Sequence, residues 1–87
     1  MALVERFHEA ADNVKNLTKR PEDQELLELY ALYKQGNFGD NNTAKPGVLD
    51  IKGRHKWEAW EKLKGTSKES AMEKYVSIVK KLMDKYS

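Results

Sequence analysis

Two tyrosines and a lysine form the most distinctive group of polar side chains in the sequence. Tyr30, Tyr33 and Lys34 are three and four residues apart, so in a helix they share one side. Phenol rings can stack on a flat ring or donate hydrogen bonds to a phosphate, and an ammonium group neutralises negative charge. A tyrosine stripe is more often part of a core, so both a packing face and a ligand site remain open interpretations.

A second group of charges lies further along the chain, where another helix is expected to begin. Lys52, Arg54 and Lys56 place three fixed positive charges within five residues. The amino end of a helix adds a partial positive charge and free N–H groups, which together favour an anion. Lysine runs are usually solvated surface, but beside the tyrosines these residues would suit a ligand that carries phosphates.

Residues with catalytic chemistry do not form a recognisable active site. His8 and His55 have no partners at metal-ligand spacing, and the glycines at 36 and 39 lack the lysine of a phosphate loop. The chain has no cysteine, and no serine lies in a nucleophile-elbow pattern. We therefore expect a binding protein rather than an enzyme, with no cofactor and no metal site.

The composition is typical of one small helical domain, which we expect to span residues 1–87. Apolar residues make up 39% and charged residues 34% of the chain, and the net charge is only +2. Mixed charges of this kind do not indicate a nucleic-acid partner. Because the first residues turn charged too soon for a signal peptide and no apolar run is long enough to cross a bilayer, a cytoplasmic location is expected.

Apolar spacing predicts two amphipathic helices in the first half of the chain. The second begins near Pro21, which is tolerated in a first turn, and ends at Gly36. It carries an unusually broad apolar face. The first helix places one stripe of apolar residues at steps of three and four: Leu3, Val4, Phe7, Ala10, Ala11 and Val14.

Residues 36–50 are predicted to form a long connection, because they include three glycines, one proline and three asparagines. Loops of this length in compact domains are often functional. We expect Phe38, Val48 and Leu49 to anchor this loop to the core.

Two further helices complete the predicted all-α, four-helix bundle. The third begins near Asp50 or Ile51 and stops at Gly65. Thr66 and Glu69 then have the spacing of a capping box at the start of the fourth helix. One face of that helix is apolar, through Met72, Tyr75, Val76, Val79, Leu82, Met83 and Tyr86.

Ordered motifs between about Phe7 and Tyr86 resemble the acyl-CoA-binding protein family, also called diazepam-binding inhibitor. They are YALYKQ at 30–35, GD at 39–40, PGVLDIKG at 46–53, KWEAW at 56–60, LKGTSKE at 63–69 and AMEKY at 71–75. Several motifs in the right order are a more specific signal than one short pattern. The resemblance implies a bundle with a shallow bowl and a non-catalytic carrier of medium- to long-chain fatty acyl-CoA esters in fatty acid metabolism.

The resemblance also implies roles for particular residues. Tyr30, Lys34 and Lys56 would contact the 3′-phosphate of coenzyme A, and Tyr33 would stack on its adenine. The acyl chain would lie in a groove bordered by the second and third helices. The remaining ligand-binding residues would be Lys15 beside the nucleotide, Tyr75 in the pocket wall and Lys52 nearby.

Other functions remain open at this point. The broad apolar face of the second helix would also suit a module that binds a protein partner, and an acyl-CoA hydrolase is a more distant alternative. The partners that we expect are acyl-CoA esters, with transient contacts to enzymes that use them or to membranes. We expect no nucleic acid and a monomer.

Overall fold

Four helices account for most of the chain in a computed structural model that describes residues 2–86. They are α1 (Leu3–Val14), α2 (Asp23–Phe38), α3 (Ile51–Glu61) and α4 (Lys68–Tyr86). Helix α4 packs against α1 and α2, whereas α3 packs on α2 alone among the described helices. No strand occurs in this part of the chain, so the predicted all-α, four-helix fold is confirmed.

The core lies between α1, α2 and α4. Its central side chain is Phe7, which has no exposed surface. Burial of each large apolar side chain contributes roughly 1.5–3 kcal/mol, so a few such residues dominate the stability of a domain this small. The stripes predicted for α1 and α4 supply most of the core, which consists of Phe7, Ala10, Leu29, Leu32, Ala71, Tyr75, Val79 and Leu82.

Helix α2 begins later and ends later than the sequence predicts. It starts at Asp23 because Glu22 and Glu25 form a capping box, in which the backbone N–H of Glu22 donates to the Glu25 carboxylate at 2.9 Å. The predicted end at Gly36 is wrong. Gly36 is buried inside the helix, which ends at Phe38 and is capped by Gly39, where the backbone has a φ of 78°.

The end of α3 and the start of α4 also differ from the sequence prediction. Helix α3 begins at Ile51 as expected, and its N-cap is Asp50, whose carboxylate accepts a hydrogen bond from the backbone N–H of Gly53 at 3.0 Å. The helix ends at Glu61, before Gly65. The capping box predicted from Thr66 and Glu69 is wrong, because the hydroxyl of Ser67 accepts from the N–H of Ser70 instead, at 3.0 Å.

Polar contacts, not apolar ones, hold the loop between α2 and α3. Phe38, Val48 and Leu49 are 63%, 76% and 94% exposed, so the prediction that they anchor the loop in the core is wrong. The loop is tied to α3 by the indole N–H of Trp57, which donates to the carbonyl of Thr43 at 2.9 Å. The loop is thus held by hydrogen bonds while these apolar side chains lie at the surface.

Candidate ligand-binding site

An open hollow of about 440 Å³ lies where α1, α2 and α4 meet. Four of the residues proposed for the ligand line it: Lys15 follows α1, Tyr30 and Tyr33 belong to α2, and Tyr75 belongs to α4. Three elements thus bring these side chains together although they are up to 60 residues apart in sequence. The rest of the lining is mainly apolar and consists of Ala11, Val14, Pro21, Leu26 and Leu29.

An aromatic cluster supports the floor of this hollow. The ring of Phe7 is stacked against that of Tyr33, with centroids 5.5 Å apart, and meets the ring of Tyr75 edge-on at 5.1 Å. Tyr33 itself remains 38% exposed. Offset and edge-on aromatic pairs contribute about 0.5–1.5 kcal/mol beyond area burial, so Phe7 holds both phenol rings in place. Sequence reasoning assigned Phe7 to the core and missed this supporting role.

Burial keeps the phenol of Tyr75 protonated. Only 3% of the residue is exposed, and the loss of solvent, with a smaller contribution from Tyr33, raises the pKa of Tyr75 to about 12. The side chain is therefore neutral at any physiological pH. It supplies an apolar wall with a hydroxyl that remains able to donate.

Two ammonium groups from different helices approach the ring of Tyr30. The Nζ of Lys34, on the same helix, lies 5.8 Å from the ring centroid, and the Nζ of Lys56, on α3, lies 5.4 Å from it. Cations within about 6 Å of an aromatic face are attracted by its quadrupole. The two lysines, predicted from separate stretches of sequence, therefore both lie beside Tyr30, which lines the hollow.

Lys52 lies one helical turn before Lys56 and is exposed. Its charge adds to the positive end of α3. None of the contacts of residues 2–86 links its side chain to Tyr30. Four of the seven proposed residues thus line the hollow, and Lys34 and Lys56 lie beside the ring of Tyr30. Lys52 joins neither group.

A buried glutamine fixes the position of α3 relative to α2. Gln35 has no exposed surface, and its side-chain carbonyl accepts from the indole N–H of Trp60 at 3.1 Å. Its amide donates to the Asp40 carboxylate at 2.9 Å and to the carbonyl of Thr66 at 2.7 Å. The backbone N–H of Gly65, and then Gln35, lower the pKa of Asp40 by stabilising its charged form. These hydrogen bonds fix the position of α3 and therefore that of Lys56 on it.

A second depression, of about 510 Å³, runs between α2 and α3. Leu27 and Ala31 of α2 line it, together with Ala59 and Leu63 from α3 and the turn that follows it. Charged and polar side chains border these apolar residues: Gln24, Glu28, His55, Glu58, Lys62 and Lys74. An apolar strip with a polar border can shelter a chain of methylene groups while it stays open to solvent.

Residues 2–86 lack two features that would indicate other functional classes. No group of three or more histidine, aspartate or glutamate side chains is placed to hold a metal ion there. None of the described helices is both long enough and apolar enough to cross a bilayer.

Comparison with known proteins decides the family. The family model described as Acyl CoA binding protein matches residues 4–79. An acyl-CoA-binding protein homolog of Drosophila melanogaster is 58% identical over 85 residues, which cover 98% of this chain and 99% of the fly protein. The chain belongs to the acyl-CoA-binding protein family. The acyl-CoA-binding protein of Saccharomyces cerevisiae is 53% identical over 81 residues, or 93% of each chain.

Solved structures of family members share the fold. The crystal structure of acyl-CoA-binding protein 2 from Oryza sativa superimposes with a TM-score of 0.92 at 41% identity, covering 95% of this chain and 90% of the rice chain. The solution structure of the yeast protein gives a TM-score of 0.76 at 53% identity, covering 93% and 94% of the two chains. These matches confirm the family resemblance and the four-helix architecture predicted from sequence.

Family membership also bears on catalysis. The acyl-CoA-binding protein family is one of non-enzymatic binding proteins. The prediction of a protein without enzymatic activity is thereby confirmed.

Proposed function

We propose that this protein binds medium- to long-chain fatty acyl-CoA esters and carries them without changing any bond. The observation that carries the proposal is the approach of Lys34 and Lys56 to the same ring, that of Tyr30. A phosphate bound beside Tyr30 would accept charge-assisted hydrogen bonds from both ammonium groups. The names of the fly and yeast relatives point to the same ligand.

The head group of coenzyme A would be held at the hollow. We assign the 3′-phosphate to Tyr30, Lys34 and Lys56, and the adenine to the exposed surface of Tyr33. Stacking of a base on an aromatic side chain contributes about 1–3 kcal/mol. The support of Tyr33 by Phe7 favours this assignment, because a ring that is already fixed loses little entropy on binding.

Three further residues complete the proposed head-group site. Lys15 and Tyr75 line the hollow and would lie beside the nucleotide and in the pocket wall. Lys52 would act at longer range, by adding positive charge where the phosphates approach the first turn of α3.

The acyl chain would occupy the groove between α2 and α3. Sheltering a methylene group contributes roughly 0.8 kcal/mol, so ten of them would contribute about 8 kcal/mol before the entropy cost of immobilisation. The apolar strip formed by Leu27, Ala31, Ala59 and Leu63 supports this placement. The chain would therefore determine most of the affinity, and the phosphate would determine which head group is accepted.

Calorimetric titration with palmitoyl-CoA tests the proposal. Wild-type protein is expected to bind one ligand, and Lys56→Ala to bind about tenfold or more weakly, because a charge-assisted contact is worth about 1.5–3 kcal/mol. Lys80→Ala is the matched control, since Lys80 lines a separate groove between α1 and α4. Absence of binding by folded wild-type protein would contradict the proposal and favour a module that binds a protein partner.

Two other ligands separate the contributions of phosphate and chain. The ester of dephospho-coenzyme A, which lacks the 3′-phosphate, is expected to bind at least tenfold more weakly by the same charge-assisted contacts. Free palmitate is expected to bind poorly because it has no anchor for the lysines. Equal affinity for the full and dephospho esters would refute the assignment of Lys34 and Lys56.

We further propose the cytoplasm as the setting of this activity. A monomeric carrier would buffer these amphiphiles and pass them to acyl-CoA-using enzymes by transient contacts. Release of free coenzyme A thiol on incubation with palmitoyl-CoA would contradict the carrier and indicate hydrolysis.

A further inference from the structure

The groove between α2 and α3 has one end near the proposed phosphate anchor and one end remote from it. The two helices run in the same sense, because Lys56 lies beside the ring of Tyr30 and Trp60, one turn later, donates to Gln35. Leu63, which also lines the groove, follows Lys56 by about two helical turns, or roughly 10 Å along the helix direction. An acyl chain that starts at the anchor and follows α3 therefore ends near Leu63.

Two lysines from different elements line the groove at this remote end. Lys62 is the C-cap of α3, six residues after Lys56. Lys74 comes from α4, and its neighbour Tyr75 meets the ring of Tyr33, which lies in the second half of α2. The fold thus places two ammonium groups where the apolar strip of the groove ends.

No carboxylate of residues 2–86 pairs with either ammonium group. The ion pairs in this part of the chain join other side chains, and none includes Lys62 or Lys74. Glu58 precedes Lys62 by four residues, the spacing of a helical ion pair, yet the two do not pair. Glu28, the other carboxylate that lines the groove, lies one turn before Leu32 on α2. The groove therefore ends in positive charge that its own side chains leave unpaired.

We propose that the remote end of the groove binds a carboxylate, so that the protein accepts acyl-CoA esters whose chain ends in a carboxyl group. The methylene groups lie on the apolar strip, and the terminal carboxylate accepts charge-assisted hydrogen bonds from Lys62 and Lys74. Because the groove is open to solvent, the carboxylate keeps part of its hydration, and the desolvation cost stays small. This inference rests on the proposed function, since it uses the same groove and the same phosphate anchor.

Calorimetric titration of the full chain with palmitoyl-CoA and with hexadecanedioyl-CoA tests the inference. The two esters have chains of equal length, and only the second ends in a carboxylate. Wild type is expected to bind the diacid ester within about threefold of palmitoyl-CoA, because two ion pairs offset the hydration that the carboxylate loses. Added salt is expected to weaken the diacid ester more than palmitoyl-CoA, since it screens these exposed pairs.

A double variant separates the lysines from the rest of the groove. Lys62→Ala with Lys74→Ala is expected to weaken the diacid ester about fivefold and palmitoyl-CoA less than about twofold, because only the former has a charge at that end. Lys80→Ala with Lys81→Ala is the matched control. It removes the same charge from exposed positions on α4 that do not line this groove, and it should leave both affinities unchanged.

Contrary results at the carboxylate and at the anchor are distinguishable. Wild type that binds palmitoyl-CoA but binds the diacid ester more than about tenfold more weakly would overturn this inference and leave the carrier function standing. Equal losses of diacid affinity in the two double variants would also overturn it, because they would indicate an effect of net charge. Failure of folded wild type to bind either ester would contradict the carrier function and this inference together.

Discussion

Lys34 has more aromatic neighbours than any other lysine among residues 2–86. Its Nζ lies 5.0 Å from the ring centroid of Phe38, 5.7 Å from that of Trp60 and 5.8 Å from that of Tyr30. Each such contact contributes about 0.5–1 kcal/mol at an exposed site. The three rings therefore restrict where the ammonium group can point before any ligand arrives. Phe38, itself 63% exposed, is the most accessible of them.

Replacement of Phe38 tests whether restricting the ammonium group of Lys34 strengthens ligand binding. Phe38→Leu is expected to weaken binding of palmitoyl-CoA about two- to fivefold, because Lys34 loses one cation–π contact and must be ordered by the ligand instead. Calorimetry measures the change. The ester of dephospho-coenzyme A provides the internal control, since wild type and Phe38→Leu should bind it with the same affinity. Unchanged or tighter binding of palmitoyl-CoA would contradict a positioning role for Phe38.

Sequence and structure agree best where a side-chain group depends on local geometry. Tyr30, Tyr33 and Lys34 share a side of α2 because helical spacing requires it, so their grouping could be predicted. The stacking of Phe7 beneath Tyr33 could not, because it depends on how α1 packs across α2 and α4. The position of Lys56 above Tyr30 was expected only through the family resemblance.

At the scale of elements, the continuation of α2 through Gly36 depends on close helix packing. A Cβ atom at Gly36 would lie 3.0 Å from Cζ of Phe7 and 3.2 Å from Cγ of Met72. The absence of a side chain at Gly36 thus lets α2 pack closely against Phe7 of α1. The ring of Phe7 is wholly buried and packed against two tyrosines, so it has little room to move away.

Gly36→Ala is therefore expected to destabilise the fold despite the higher helix propensity of alanine. The propensity gain is about 1 kcal/mol, whereas overpacking typically costs about 1–3 kcal/mol, so a net loss near 1 kcal/mol is expected. Urea unfolding measures it. Gly47→Ala is the control, because nothing lies within 4 Å of a Cβ there, and its change should stay within about 0.5 kcal/mol. Stabilisation by Gly36→Ala would contradict this prediction, because it would show that the ring of Phe7 moves to make room for the added methyl group.

Prediction of the elements succeeded where apolar periodicity is strong and failed where local signals were ambiguous. The helices α1 and α4 follow their stripes. A glycine usually indicates a helix end, but at Gly36 tertiary contact overrides that rule. The loop residues Val48 and Leu49 were assigned to the core because they are aliphatic, and no local rule reveals that polar contacts hold the loop instead.

At the scale of the whole molecule, two carboxylates join parts of the chain that are distant in sequence. Glu25, at the start of α2, accepts hydrogen bonds from the phenol of Tyr86 at 2.7 Å and from Lys85 at 3.2 Å, near the end of α4. Asp40 accepts from the side chain of Gln35 and from the N–H of Gly65, at 2.9 and 2.8 Å. The contacts of Glu25 join the start of α2 to the end of α4. The contacts of Asp40 hold the turn that follows α3.

Both carboxylates make the fold sensitive to acid. Tyr86 and then the backbone N–H of Glu22 lower the pKa of Glu25 below its ordinary value of 4.5, and Gly65 and then Gln35 lower that of Asp40 below 3.8. A folded-state pKa below the unfolded one means that the unfolded chain binds protons more readily, so this stabilisation is present near neutral pH and is lost as the pH falls below about 4.5.

The free energy of unfolding is therefore expected to decline from about pH 5 towards pH 2, and to decline less steeply in Glu25→Gln and Asp40→Asn, which have no carboxylate to protonate there. Urea unfolding of each variant at a series of pH values gives the slope. Glu73→Gln, at an exposed position on α4, is the matched control and should retain the wild-type slope. If all three variants kept that slope, the acid sensitivity would have to come from other groups. A shallower slope in Asp40→Asn alone would assign the acid sensitivity to the contacts of Asp40 with Gln35 and Gly65, which hold α3 and the lysine that we assign to the 3′-phosphate.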